Sequence, residues 1–468
     1  MKPELYEYNY DELLRRTFKS SKRALRASEK ELKTLFKVLP EWEEPFGMVS
    51  KMGDTGRLLF HAMEKWMDDI VHAHERGQKL VLTTFCYPVG VLRAFGCVAL
   101  NMEIMTAFGN ILWKRGVFDF YDYCTELGMT ETSCAGQRGA IGAYLAGIGE
   151  KPDFVLINSP GFCDSNANSF QFYAAYKDVP LYTHDCPPEL IGERAKEYHR
   201  RDFRNMLKFM EEQTGRKIDW DYLRKVMAEI KKQDDLVDEI MTLTMQVPSP
   251  VPSFAAAALY AVKLAFSGFE EATPVLEEIV RMSKDNLAKG IAGTPSGIES
   301  ARVFPCYIDH YTQGMKFWSF LNRHNITHLG SILDYFWNEG CPYDKGDPEE
   351  TYKMDPTSED SIIDSLAGQL ARMPMVKQII GPYNEKAQWL EDTLTAAKLY
   401  KADAIVYIGT FGCRNTWSMV KPFASDLEKA GYPTYVLVAD AFDDRVASWE
   451  TCEKRLLEFF HLRGVIKK

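Results

Sequence analysis

The chain has no run of eighteen or more apolar residues, so no segment reads as a membrane span. Its start, Met1 to Tyr8, is polar and acidic and lacks the apolar stretch of a secretory signal, so a cytoplasmic location is expected. There is no excess of positive charge. Fifty-six basic residues stand against 66 acidic ones, for a net charge of −10, which argues against a general nucleic-acid binder. No C-x-x-C pair occurs, so neither a zinc ribbon nor a ferredoxin-type cluster is signalled. No repeat of fixed short period is present either.

What is present is enough material for two or three packed units: 468 residues, 46% hydrophobic and 26% charged. Residues 1–76 read as a helical arm. Asp11–Phe36 is free of Pro and Gly with apolar residues at helical spacing, and Gly56–Arg76 follows as a second helix. Residues 77–190 alternate short apolar runs with helical stretches, which predicts a parallel sheet. The predicted strands are Lys79–Phe85, Gly96–Leu100, Asp153–Asn158 and Val179–His184, with helices over Asp119–Leu127, Gly136–Ala146 and Ser169–Lys177. Residues 191–290 read as helices, interrupted by the proline-rich stretch 247–252. Residues 291–468 return to the alternating pattern. Strands are expected at Val303–Ile308, Ile326–Leu333, Ala404–Gly409 and Thr434–Ala439, and a loop over 338–356. The fold class expected is therefore α/β: two Rossmann-like parallel-sheet domains with a helical arm before them and a helical insertion between them.

Ten cysteines stand at 86, 97, 124, 134, 163, 186, 306, 341, 413 and 452. In a reducing compartment they are not expected to form disulfides, and a cysteine taken alone is most often a small buried hydrophobe. Three share a context. Cys134 precedes the helix from Gly136. Cys163 follows the strand Asp153–Asn158 through Ser-Pro-Gly-Phe, and Cys413 follows Ala404–Gly409 through Thr-Phe-Gly. The carboxyl ends of parallel strands are where open α/β sheets place ligands. A helix N-terminus favours the thiolate, Gly136, Gly161 and Gly412 permit close backbone approach, and Arg138 and Arg414 are available to offset negative charge.

These segments also resemble a known family. Cys134-Ala-Gly-Gln-Arg138, Lys-Pro-Asp-Phe-Val-Leu (151–156), Cys163-Asp164 and Val-Pro-Leu-Tyr (179–182) resemble the first half of the 2-hydroxyacyl-CoA dehydratase and benzoyl-CoA reductase family, the 2-hydroxyglutaryl-CoA dehydratase D-component family. Ala-Asp-Ala-Ile-Val-Tyr (402–407), Cys413-Arg-Asn-Thr-Trp-Ser418, Gly-Tyr-Pro-Thr-Tyr (431–435) and Asp440–Arg445 extend the likeness in the family's order. The Cys-x-x-x-x-Ser form at 413–418 resembles the α-type subunit. The resemblance implies a [4Fe-4S] cluster, or a double-cubane cluster, held by Cys134, Cys163 and Cys413 with one iron left open. It also implies an acyl-CoA substrate, a homologous β-type subunit, and a separate ATP-using activator with its own iron–sulfur cluster. The activator's electron would make a ketyl radical of the thioester, leading to loss of a leaving group in dehydratases or ring reduction in aromatic reductases.

Within that family the stretch Tyr87-Pro88-Val89-Gly90 carries Gly90 where many dehydratase subunits have an acid, which leans the expectation towards a benzoyl-CoA-type reductase. A 2-hydroxyacyl-CoA dehydratase subunit is the alternative. Further alternatives are a homodimeric double-cubane reductase or electron-transfer protein, and a metal-free α/β binding protein. Ser418 is a candidate donor to the cluster or a helix cap. His184, with Asp185, is a candidate for lining the substrate channel. Asp440, Asp443 and Asp444 read as turn and helix caps. Cys86, Cys97, Cys186, Cys306, Cys341 and Cys452 read as packing residues, as does Cys124 despite lying ten residues before Cys134.

Overall fold

The computed structural model describes residues 9–38, 40–43, 46, 49, 52–85, 87–159, 163–185, 193–307, 311–335, 354–371, 375, 388–417 and 420–466. Helices α1 (Tyr10–Ala24), α2 (Glu29–Val38) and α3 (Asp54–Val71) form the arm. The single helix expected over 11–36 is two. Ser28 and Glu31 make a capping box, each side chain reaching the other's backbone N–H, and this restarts the helix after a turn. The arm is anchored by Asp11, whose buried carboxyl accepts bonds from the Tyr144 hydroxyl and the Glu150 N–H, and by Tyr10, whose hydroxyl donates to Met105 O at 2.8 Å.

The first sheet unit runs β1 (Lys79–Thr83), α4 (Val89–Ala94), β2 (Cys97–Asn101), α5 (Met102–Leu112), α6 (Lys114–Glu126), α7 (Ala135–Ala146), β3 (Phe154–Ser159), α8 (Asp164–Lys177) and β4 (Leu181–Asp185). Helices α9 (Glu193–Thr214), α10 (Trp220–Thr244), α11 (Ala255–Ala265) and α12 (Thr273–Lys289) follow. The second sheet unit runs β5 (Ala301–Tyr307), α13 (Tyr311–Arg323), β6 (Ile326–His328), α14 (Ile332–Tyr335), α15 (Glu359–Ala371), α16 (Gln388–Leu399), β7 (Ala404–Thr410), α17 (Arg414–Trp417), α18 (Val420–Lys429), β8 (Thr434–Ala439) and α19 (Trp449–Leu462).

Both sheets are parallel throughout, with orders β2-β1-β3-β4 and β6-β5-β7-β8. The fold is α/β with two Rossmann-like units, as expected. In each sheet the chain first winds to one side of its opening strand and then crosses to the other. The switch points fall between β1 and β3 and between β5 and β7, and a crevice opens at the carboxyl ends of strands there. Strands β2, β5 and β7 are buried along their whole length, because helices cover both faces.

Several boundaries differ from the sequence reading for local reasons. Strand β2 starts at Cys97, since Gly96 takes φ 70° as the turn residue. Strand β6 stops at His328, because Gly330 turns at φ 84° and Ser331 with Asp334 caps α14. Helix α5 was not expected at all. It follows β2 without a turn, Asn101 ending the strand and capping the helix by accepting from Ile104 N–H at 3.2 Å. Cys86, Gly161, Cys186, Cys341, Ser418 and most of the expected 338–356 loop lie outside the described residues.

Position 90 has a packing explanation. Gly90 is buried in α4, and a Cβ there would stand 2.5 Å from Val226 Cγ1 of α10. The absence of an acid at this position reflects a helix–helix contact with no room for a side chain, so it gives no ground for choosing the reductive branch. Gly90→Ala is expected to lose about 1–3 kcal/mol by overpacking. Adding Val226→Ala should recover part of that loss in denaturant unfolding. Strictly additive losses would show that the two positions do not press on each other.

Candidate functional site

Each of the three cysteines singled out by sequence sits between the end of a strand or loop and the start of a helix. Cys134 caps α7 with its backbone, its carbonyl accepting from Gln137 and Arg138 N–H at 3.1 and 3.2 Å. Cys163 caps α8, its carbonyl accepting from Ala167 N–H at 3.1 Å. Cys413 closes the turn after β7, its N–H donating to Thr410 O at 2.9 Å, while Thr416 Oγ1 donates to its carbonyl at 2.8 Å.

The two sheet units meet at these residues. The loop before Cys413 lies backbone-to-backbone on Cys134: a Cβ on Gly412 would stand 2.5 Å from Ser133 O and 2.7 Å from Cys134 Cα. A Cβ on Gly136 would meet the ring of Phe442, just past β8, at 2.7 Å. Asp440, at the carboxyl end of β8, accepts from Phe442 and Asp443 N–H at 2.9 Å each and also holds the Gly412 amide. The turn-capping role expected of Asp440 is therefore present, and it reaches the cysteine loop. Arg414 and Asp164, the residues after Cys413 and Cys163, form an ion pair between the two units. Arg138 is buried and donates to Glu131 and Ser133 carbonyls, so it braces the loop leading into Cys134.

The three thiols share one electrostatic environment. Burial pushes the Cys134 thiol well up, and the neighbouring Cys413 and Cys163 sulfurs push it further, while the Gly136 amide opposes them. Burial likewise raises Cys163, with Cys413 adding to the effect and the Asn166 amide opposing it. The helix termini do supply amides to the sulfurs, but they do not make thiolates on their own. Burial and mutual repulsion prevail, and a cationic centre would be needed to reverse the balance. Among the described residues no three His, Cys, Asp or Glu side chains close around a single-ion position. An iron–sulfur cubane takes each thiolate on a different iron, so its ligands stand farther apart than those of one ion.

Sequence reading missed a carboxyl beside these thiols. Glu103, on α5, is 6% exposed and close enough to Cys163 to raise it. It accepts from Phe85 N–H at 3.1 Å and from the Gln137 side-chain amide, and the Asn166 side chain bonds it as well. Gln137 lies three residues after Cys134, and Asn166 three residues after Cys163. Each helix begun by a cysteine thus turns an amide onto the same carboxyl, at the i,i+3 spacing that places residues on one helix face. Burial raises Glu103 to about 7, the hydrogen bonds only partly opposing it. The signal available in sequence was one charged residue within the mostly apolar stretch 102–112.

His184 is placed differently from expectation. It is 3% exposed, with Nδ1 2.6 Å from Asp202 and Nε2 2.8 Å from the Tyr87 hydroxyl. Both ring nitrogens are used inside the protein, so His184 braces the loop after β1 and leaves no nitrogen for a substrate. Asp185 accepts from the Tyr198 hydroxyl at 2.6 Å. Cys97, Cys124, Cys306 and Cys452 are buried packing residues, as expected. Cys124 donates to Arg138 O, and burial pushes its thiol up to about 12.

Comparison with known proteins fits this geometry. A family model described as 2-hydroxyglutaryl-CoA dehydratase, D-component, matches residues 84–461. Lactoyl-CoA dehydratase subunit alpha of Anaerotignum propionicum is 24% identical over 294 residues, covering 56% of this chain and 67% of that protein. The (R)-phenyllactyl-CoA dehydratase alpha subunit of Clostridium sporogenes is 22% identical over 267 residues, covering 55% and 63%. Each alignment thus spans about two thirds or less of the relative's own length. Both relatives are dehydratase subunits, which favours the dehydratase alternative over the reductive expectation. No helix among the described residues is long and apolar enough to cross a membrane. With the family match running from just past β1 to α19 and taking in all three cysteine turns, the chain belongs to the 2-hydroxyglutaryl-CoA dehydratase D-component family.

Proposed function

We propose that this chain is the α-type subunit of a 2-hydroxyacyl-CoA dehydratase, with Cys134, Cys163 and Cys413 as protein ligands of a [4Fe-4S] cluster. The observation that carries this reading is the convergence of three thiols, from three turns in two sheet units, on one region where burial and the neighbouring sulfurs raise Cys134 and Cys163. Soft sulfur donors with amides directed at them suit an iron–sulfur centre. When bound, such a centre supplies one-electron transfer and a Lewis-acidic iron. A homologous β-type subunit and an ATP-using activator complete the reading, as the resemblance implies.

The chain's own part in the reaction is proton handling beside the thiols. Dehydration of a 2-hydroxyacyl thioester removes a proton from carbon and releases the hydroxyl oxygen as water. Glu103 is the carboxyl placed for the proton. With its pKa near 7 it is part ionised at neutrality, the condition under which one group both takes and releases a proton. The amides of Gln137 and Asn166 and the Phe85 N–H fix its orientation. Those amides lie on the helices that start at Cys134 and Cys163, so the carboxyl is tied to the elements that carry these two thiols.

Four outcomes are expected. Holoenzyme with its activator should convert a 2-hydroxyacyl-CoA to the enoyl-CoA; consumption of an aromatic acyl-CoA with no dehydration would overturn the assignment. The rate should rise with pH through about 7 as Glu103 ionises. Glu103→Gln should lower kcat by about 10²–10⁴ and flatten that rise while keeping iron; an unchanged pH profile would remove Glu103 from the mechanism. Gly412→Ala should reduce iron content by pushing the Cys413 loop off Cys134, with far-UV circular dichroism unchanged.

A further inference from the structure

A cavity of about 340 Å³ lies away from the cysteine turns, at the amino end of the first sheet. Cys97, Val98 and Ala99 of β2, the edge strand, form one wall. The others come from arm helix α3, from α4, from α10 and from the turn between α11 and α12. Cys163 and Cys413 follow the opposite, carboxyl ends of β3 and β7, so this space is separate from the site described above. Its shape depends on Gly268, which turns the chain after α11 at φ 71° and packs so tightly that a Cβ would stand 2.6 Å from Val226 of α10. That turn carries Phe269, Glu270 and Glu271 to the cavity.

Arg93, on α4, is half-buried and lines the same space. Its Nη1 donates to Gly268 O at 3.0 Å, and its guanidinium lies 4.4 Å from the centre of the Phe269 ring. One hydrogen bond leaves most of the guanidinium fork without an acceptor. Burial pulls the Arg93 pKa down, against the pull of Tyr222, Asp69, Glu271 and Glu270. These carboxylates are near enough to act on the charge, yet among the described residues none forms an ion pair with it. Asp69 pairs instead with Arg76 at 2.8 Å. Arg302, by contrast, has Glu299 and the carbonyls of Thr244, Gln246 and Tyr400. A desolvated cation held in position with its donors unmatched is costly unless something else meets it.

Glu270 and Glu271 are in the same condition with the opposite sign. Among the described residues neither side chain takes part in a hydrogen bond or ion pair. Opposite charges therefore face one cavity without meeting across it. A simple anion would satisfy Arg93 but face the carboxylates, and a simple cation would do the reverse. We propose that this cavity binds a small zwitterion of the amino-acid class, with its carboxylate on Arg93 and its ammonium group towards Glu270 and Glu271. Guanidinium and carboxylate match as a planar, two-bond pair, and stacking on Phe269 fixes the plane beforehand. The volume is at the small end of the range for ligand pockets, about 300–1,000 Å³, which suits a molecule of amino-acid size and not a nucleotide.

The test is calorimetric titration of anaerobically purified protein with L-leucine and L-phenylalanine. The latter is compared with 3-phenylpropanoate, which lacks the ammonium group, and 2-phenylethylamine, which lacks the carboxylate. At least one amino acid should bind, and the acid and amine should bind about tenfold more weakly than L-phenylalanine or not at all. Arg93→Gln should weaken amino-acid binding by about tenfold or more. The double variant Glu270→Gln, Glu271→Gln should weaken it similarly and erase the preference over 3-phenylpropanoate. Arg93→Gln also loses the bond to Gly268, so Tm is read alongside. The glutamate variant removes no hydrogen bond or ion pair among the described residues and decides the matter if Arg93→Gln melts early. Absence of binding by both amino acids, equal binding of the acid or the amine, or affinities unchanged in the glutamate variant overturn the proposal. None of these results bears on the cluster, which rests on the cysteine turns.

Discussion

The site depends on one close contact: the backbone at Gly412 lying on the backbone of Ser133 and Cys134, at a distance no side chain would tolerate. Each sheet unit alone brings too few thiols to hold a cluster. The first carries Cys134 and Cys163 and the second carries Cys413. Joining the carboxyl edges through a glycine turns two ordinary switch-point crevices into one shared region. The neighbouring interactions serve the same end. Asp440 holds the Gly412 amide, Phe442 fills the space a side chain at Gly136 would take, and Arg414 pairs with Asp164. That ion pair is largely exposed on the arginine side, so its contribution is to the alignment of the two cysteine turns more than to stability.

The electrostatics follow from placing acidic groups close together and out of water. Three thiols and one carboxyl lie in one region, and burial raises the Cys134 and Cys163 thiols and Glu103 itself. The Cys134 and Cys163 thiols are therefore pushed towards the protonated form, whereas the carboxyl, its burial partly offset by hydrogen bonds, is brought to about 7. This is the same environment acting on two kinds of acid. On the function proposed above, it suits the sulfurs to a cluster and the carboxyl to proton exchange near neutral pH.

Much of the fold was legible because buried parallel strands are short continuous apolar runs bounded by turn residues. Ala404–Gly409 and Thr434–Ala439 were found within a residue for that reason. Helix α5 was not, since it is apolar almost all round and joins β2 without a turn, so its periodicity is hidden. The cysteines stood out through their context and the family resemblance. Glu103 did not, because only the fold shows that a lone acid in an apolar stretch is met by amides from two other helices. Gly90 was misread because a missing acid and a tight helix crossing look alike in one sequence.

The most direct measurement is the iron and acid-labile sulfide content of anaerobically purified protein, wild type and with Cys134, Cys163 and Cys413 each replaced by alanine. One cubane's worth per chain in the wild type, lost or converted to a smaller species on removing any one of the three thiols, is the result this account predicts. Full iron and sulfide in all three variants, each folded, would show that the thiols do not hold the centre and would contradict it.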